Sequence, residues 1–292
     1  MPVQVVDGIE IHYVETGGGG TTLCLVHGAG GNAQVWMRQL EGLAAAARVI
    51  ALDLPGHGES KGDGRRRIED YARVVRGFIR AAGLGPVVLG GHSMGGGIAQ
   101  TVALEHPELL AGLVLVGTGA RLRVLPRIFE LLASDYAEGC AFVNALGFGV
   151  AASQALKDGA RVAMLGTRPS VTIGDFAACD AFDVMPRVGA IRAPALAICG
   201  EDDQLTPPKY AEFLATKIPG ARLLLVEKAG HFVQLEQPEI VNAGIREFLD
   251  HPIPPSPLSS PPLTLPLPTG ERRKGEGHRV GWGEGATVVT GP

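Results

Sequence analysis

Cysteine is scarce in this chain of 292 residues, with only Cys24, Cys140, Cys179 and Cys199. None stands in a Cys-x-x-Cys pair or in His/Cys ligand spacing, which argues against a zinc site. Cys24 and Cys199 lie inside the apolar runs TTLCLVH and ALAICG, where a free thiol acts as a small core side chain. Such usage predicts a reduced, cytoplasmic protein. A surplus of charge is lacking too: 26 Lys and Arg face 30 Asp and Glu, for a net −4. Nothing in that balance recruits nucleic acid or an anionic membrane. No apolar run reaches the ~18 residues of a membrane span, and MPVQVVDGIE lacks the basic start and apolar stretch of a secretory signal.

What remains is a chain 46% hydrophobic and rich in glycine, with 42 residues of that type. That is enough for one large domain or two small ones. VQVV and IEIHYV alternate around Asp7-Gly8, a two-residue hairpin signal. Beyond Gly20, strand and helix patterns take turns. TLCLVHG reads as a strand, NAQVWMRQLEGLAAAA as a helix and VIALD as a strand. IEDYARVVRGFIRAAG (helix), PVVLGG (strand), MGGGIAQTVALEHP (helix) and LAGLVLVG (strand) follow. This alternation predicts an α/β fold: a mainly parallel sheet with helices on both faces.

The alternation lapses over 120–191, a helix-prone segment rich in Leu, Ala and Phe that reads as an inserted helical cap. It resumes with APALAICG, PPKYAEFLATKI, ARLLLVE and PEIVNAGIREFLD. Residues 251–292 hold nine prolines and seven glycines with little periodic apolar pattern. Such composition cannot offset its chain entropy by burial, so a disordered and dispensable tail is expected.

The chemistry concentrates at GGHSMGGG, residues 90–97. Gly91-His92-Ser93-Met94-Gly95 fits G-x-S-x-G, with a strand pattern before it and a helix pattern after it. A strand that turns at once into a helix crowds the positions two before and two after the serine, so both become glycine. The hydroxyl of Ser93 then projects above the sheet edge at the positive end of the helix. Gly96 and Gly97 are not required by the pattern, and close helix packing is one use for them.

A serine nucleophile needs a base, and the base needs an orienting acid. Of eight histidines, His27, His57 and His92 abut glycines and are expected to fix loops. His12 falls in the first hairpin, His106 at a helix end, and His251 and His278 in or beside the tail. His231, in VEKAGHFVQLEQPE, follows the last strand and so reaches the same edge as Ser93. AICGEDDQLTPP supplies the acid; Asp203 is selected, with Glu201 and Asp202 as solvated neighbours. The order Ser93, Asp203, His231 suits the elbow. The loop His27-Gly28-Ala29-Gly30-Gly31 after TLCLV can aim backbone amides at Ser93. The N–H groups of Ala29 and Met94 are the expected oxyanion donors. No Gly-Lys-Ser/Thr follows that loop, which argues against a phosphate-binding P-loop.

In order along 3–250, the motifs HGAGG, DLPGHGES, GGHSMGG, GEDDQLTP and AGHFVQLEQPE resemble the α/β-hydrolase superfamily, specifically its capped esterase-like branch. The resemblance implies an eight-stranded, mostly parallel sheet with a cap inserted after the sixth strand. Residues 1–119 and 192–250 would then form the core and 120–191 the cap. It also implies a structural role for Asp53 and His57. Ser93 separates the chain from epoxide hydrolases and haloalkane dehalogenases, which carry Asp there, and HGAGG differs from the HGGG of hormone-sensitive-lipase-like esterases.

The expected activity is cleavage of carboxylic esters of small apolar molecules through an acyl-enzyme, with a small-molecule substrate and no metal or organic cofactor. A C–C bond hydrolase of ring-cleavage products is the alternative, and lactone, thioester and N-terminal-proline peptide hydrolysis stay open. Outside enzymes, a small-ligand receptor with a vestigial triad uses the same fold.

Overall fold

Asp7 and Gly8 both adopt positive φ, 49° and 78°. That backbone matches the twist of two paired strands, so β1 (Val3–Val6) folds directly onto β2 (Ile9–Thr16). The computed structural model describes residues 2–250, and the proline-rich segment 251–292, expected to be disordered, lies outside the described residues.

After the hairpin come β3 (Thr22–Val26), α1 (Met37–Gly42), β4 (Arg48–Leu52), α2 (Ile68–Ala81), β5 (Val87–His92), α3 (Met94–Glu105) and β6 (Leu110–Val116). Four helices follow: α4 (Pro126–Ser134), α5 (Tyr136–Gly147), α6 (Gln154–Leu165) and α7 (Pro169–Ala181). The chain closes with β7 (Ala195–Gly200), α8 (Pro208–Lys217), β8 (Arg222–Val226), α9 (Val233–Glu236) and α10 (Pro238–Asp250). The eight strands form one sheet in the order β1-β2-β4-β3-β5-β6-β7-β8. The pairings β1–β2 and β2–β4 are antiparallel; β3 to β8 are parallel throughout.

Period-two burial makes the sheet two-sided. In β3, Cys24 and Val26 enter the apolar layer shared with Tyr71 and Phe78 of α2, Val102 of α3 and Leu214 of α8. Leu23 and Leu25 enter the opposite layer, with Trp36, Leu40 of α1 and Ile245 and Phe248 of α10. In α2 the buried positions Ile68, Tyr71, Ala72, Val74, Val75, Phe78 and Ile79 form one face at helical spacing. Glu69 and Asp70 in its first turn and Arg80 in its last complement the helix dipole.

One expectation fails. The run 32–47 is not a continuous helix: a single 3-10 turn, Ala33–Trp36, precedes the six-residue α1. The cause is the short path into β4. The N–H groups of Ala46 and Ala47 both fold back onto the Leu43 carbonyl, at 2.9 and 3.0 Å, and Ala47 is fully buried.

Helices α4 to α7 have their own apolar centre, built from Ile128, Leu132, Cys140, Val143, Met164 and Phe176. Its neck is clasped where Arg121 bridges Asp183 and Val184 N–H donates to the Ala120 carbonyl at 2.8 Å. Among the described residues no helix is long and apolar enough to cross a membrane.

Candidate active site

Parallel strands carry their C-terminal ends to one edge, and every sequence-selected residue sits there. The turn 28–31 leaves β3, Ser93 leaves β5, Asp203 leaves β7 and His231 leaves β8. Ser93 has φ 52° and ψ −116°, a strained backbone for a residue with a side chain. The strain is enforced by crowding. A Cβ on Gly91 would collide with the Gly95 backbone, and one on Gly95 with the Val26 carbonyl. A Cβ on Gly96 would strike the Thr118 side chain, whose hydroxyl donates to the Ser93 carbonyl at 2.8 Å. At Gly97 the nearest obstacle is the Phe182 ring, at 3.2 Å.

Asp203 and His231 meet, as the spacing suggests. Asp203 Oδ2 lies 2.9 Å from His231 Nδ1, both residues being buried. Thr206 bridges them, its hydroxyl 2.9 Å from Asp203 Oδ2 and 3.1 Å from His231 Nδ1. Asp203 Oδ1 accepts the N–H groups of Leu205 and Thr206 at 2.9 and 2.8 Å. Burial alone would raise the Asp203 pKa, but the His231 ring and these donors outweigh it and hold the carboxyl below its ordinary range. Asp202 and Glu201 remain exposed.

Small residues make room. Gly117, at the end of β6, has φ 51°, and a Cβ there would stand 2.9 Å from the His231 carbonyl oxygen. His92 closes β5 rather than lying in a loop, and its Nε2 donates to that same carbonyl at 3.0 Å. Burial first, and the neighbouring His231 second, hold the His92 pKa well below the usual histidine value.

The turn 28–31 packs against the elbow: a Cβ on Gly28 would lie 3.1 Å from Ser93 Cβ. Gly31 N–H and His27 Nδ1 both reach the Gly28 carbonyl, at 3.2 and 2.8 Å. Neither the Ala29 N–H nor that of Met94, first residue of α3, has an acceptor among the described residues. One unpaired amide thus stands at the N-terminus of α3 and the other in the turn packed against the elbow.

Asp53 ties loops together, accepting from His12 Nδ1 at 2.7 Å, Ala33 N–H at 2.7 Å and Glu59 N–H at 3.0 Å. His57 Nε2 meets Asp175 Oδ2 of α7 at 2.7 Å. Burial opposes charge on His57, yet Asp175 prevails and raises its pKa.

Sequence reading missed Thr118, Thr206, Glu236 and Asp175. Glu236 accepts Gly230 N–H and Gly149 N–H, each at 2.9 Å, so it braces the loop before His231. A signal for Asp175 existed: it is the one acid in the otherwise uncharged stretch TIGDFAAC.

Ser93, His231, Gly28 and Ala29 share a cavity of about 280 Å³ with a largely apolar wall from α4 to α7, including Ile128, Val143, Met164 and Phe176. A second cavity of about 250 Å³ lies against the other side of Ala29 and Met164. Among the described residues no group of three or more His, Cys, Asp or Glu is placed to hold a metal ion.

Relatives share this architecture. The chain is 32% identical to a 2-hydroxy-6-oxononadienedioate/2-hydroxy-6-oxononatrienedioate hydrolase of Dechloromonas aromatica, over 83% of this chain and 91% of that protein. A thermophilic esterase from Thermogutta terrifontis superposes with a TM-score of 0.77 at 30% identity, covering 85% of this chain and 97% of that one. The enol-lactonase of Burkholderia xenovorans gives 0.80 at 25% identity, covering 86% and 100%. The model of the alpha/beta hydrolase family matches residues 25–243, from the end of β3 into α10, a span that carries the strand ends described above. By that match and by its relatives, this chain belongs to the alpha/beta hydrolase family.

Proposed function

We propose that the chain is a serine hydrolase that cleaves carboxylic esters of small apolar molecules through an acyl-enzyme on Ser93. The observation that carries this reading is His231, held 2.9 Å from Asp203 and sharing a cavity with a strained serine and with Ala29, whose amide has no acceptor among the described residues. In this mechanism His231 Nε2 takes the Ser93 proton as Oγ attacks the acyl carbon. The Ala29 and Met94 amides hold the oxyanion, and Asp203 keeps the His231 proton on Nδ1 and stabilises the imidazolium. His231 then protonates the departing alkoxide, and water repeats the cycle on the acyl-enzyme. Residues 120–191 act as the cap and supply the apolar wall of the substrate cavity.

The test is Ser93→Ala with short-chain p-nitrophenyl esters. Turnover should vanish while circular dichroism and melting stay those of the parent; retained turnover overturns the assignment.

One observation favours a second reading, hydrolysis of a C–C bond in an anionic ring-cleavage product. Arg123 and Lys209 line the cavity, no Asp or Glu does, and neither cation pairs with a carboxylate among the described residues, Arg123 donating instead to the Asp180 backbone carbonyl at 3.2 Å. The Dechloromonas relative is named for hydrolysing a dienedioate, which is a dianion. A vinylogous diketone acid offered beside the esters separates the two: turnover of the diketone alone selects this reading, and turnover of esters alone selects the first.

A further inference from the structure

Gly30 is gripped by the cap at both of its backbone polar groups. Its N–H donates to Asp175 Oδ2 at 2.9 Å, and its carbonyl accepts the Thr167 hydroxyl at 3.0 Å. Asp175 belongs to α7, and Thr167 to the turn between α6 and α7. Gly30 itself has φ 65°, and a Cβ there would press on Met164 and Thr172 at 3.1 Å. The cap therefore lies directly on the turn that carries Ala29.

Asp175 is fully buried, where an unpaired carboxylate is costly. Donors converge on it from three other elements. Besides Gly30 N–H, Oδ2 takes His57 Nε2 at 2.7 Å, and Oδ1 takes the Tyr71 hydroxyl of α2 at 2.5 Å. His57 and Tyr71 belong to the core, so the carboxylate ties α7 to two fixed points and hangs the turn 28–31 from the same atoms. Within that turn the Gly28 carbonyl is also occupied, by Gly31 N–H and His27 Nδ1. Ala29 N–H is the donor left without an acceptor among the described residues.

We infer that Asp175 is a positioning residue for ester cleavage, fixing with Thr167 the pitch of the turn 28–31 and hence the aim of the Ala29 N–H at the acyl oxygen. This rests on the proposed role of Ser93 and extends it to the cap, which sets one oxyanion donor as well as lining the cavity. His57 has a part in the same arrangement. A bare carboxylate beside the oxyanion pocket would oppose the negative charge that develops there, and the imidazole paired with it offsets that field.

The experiment compares Asp175→Asn and Thr167→Val with the parent on a short-chain p-nitrophenyl ester. Active sites are counted by exhaustive labelling with a fluorophosphonate. A small misalignment of a catalytic donor can cost on the order of tenfold to a hundredfold. Asp175→Asn should therefore lower kcat per labelled site by about tenfold or more with KM within about threefold. It should weaken binding of an alkylboronic acid, which forms an anionic tetrahedral adduct on Ser93, by a similar factor. Thr167→Val should move both quantities in the same direction by a smaller factor.

A merely structural anchor lowers the number of labelled sites and the melting temperature but leaves kcat per site and boronate affinity unchanged. That result for both variants overturns the inference. Should Asp175→Asn not fold, Thr167→Val decides alone by the same two readouts. Failure of the underlying reading is distinct, since it would show as ester turnover surviving Ser93→Ala.

Discussion

His92 Nε2 donates to the backbone carbonyl of His231 at 3.0 Å, so the residue before the proposed nucleophile holds the chain of the proposed base. The ring is buried, burial holds its pKa well below the usual histidine value, and its Nδ1 has no partner among the described residues. One hydrogen bond therefore joins the end of β5 to the loop after β8, across the gap kept open by Gly117. His92→Leu fills similar space without the donor and leaves the His231 carbonyl unpaired. The expected loss is about 1–3 kcal/mol of stability, read by urea unfolding, together with a lower kcat for ester hydrolysis. Stability and kcat both equal to the parent would show that this link does not matter.

The Asp203 pKa is depressed, which fixes the sign of a pH effect. A carboxyl of lower pKa in the folded state contributes stability at pH above its unfolded value. That contribution is lost as pH falls through the folded value. Thr206→Val removes the hydroxyl that donates to Asp203 Oδ2 and keeps the shape. At pH 7 the variant should be less stable by about 2 kcal/mol, as for a hydrogen bond to a charged group. The charge-linked part of this difference should shrink in acid below the unfolded carboxyl pKa, here near 3.8. Urea midpoints across that range measure it, and a difference independent of pH would contradict it.

The glycines around Ser93 should sort by what their missing side chains would strike. Gly91→Ala and Gly95→Ala meet backbone, which cannot yield, and are expected to cost more than about 3 kcal/mol. Gly96→Ala meets the Thr118 side chain that holds the Ser93 carbonyl, and should cost about 1–3 kcal/mol. Gly97→Ala faces only the Phe182 ring, and the helix propensity of alanine offsets that contact to within about 1 kcal/mol. Thermal melts of the four variants give the ranking, and an equal cost at Gly97 and Gly95 would refute it.

That ranking also shows what sequence could reveal. The strand–Gly-x-Ser-x-Gly–helix pattern is local, because steric crowding within five residues imposes it, and so it was readable. The parallel sheet was readable for a similar reason, since period-two and period-3.6 burial are written along each element. The placement of Asp203 and His231 beside Ser93 was readable because strand ends of a parallel sheet share an edge. Thr118, Thr206, Glu236 and Asp175 were not readable in the same way. Each acts through a partner on another element, Asp175 through Gly30 at a separation of 145 residues, and no local period announces such pairs. The helix expected over 32–47 fell short because apolar periodicity does not reveal where a chain must turn into the next strand.

Met164 stands between two cavities, of about 280 and 250 Å³, and lines both. Ala29, Val143 and Phe232 line both as well, so the turn carrying the proposed oxyanion donor sits at their junction. Ser93 and His231 line only the first, so in the proposed mechanism the scissile bond lies there. Truncating the long, unbranched Met164 side chain should widen the passage and admit an extended acyl chain into the second cavity. For Met164→Ala, kcat/KM for p-nitrophenyl octanoate relative to butyrate should rise by about tenfold, the order set by a few buried methylenes at about 0.8 kcal/mol each. Met164 is mostly buried, so the truncation should also cost about 2–3 kcal/mol, the low end of the range for such losses, because it lines existing cavities. Met164→Val serves as a milder step should the larger truncation unfold helices α4 to α7. A chain-length preference unchanged in both variants would mean that the second cavity takes no part in substrate binding.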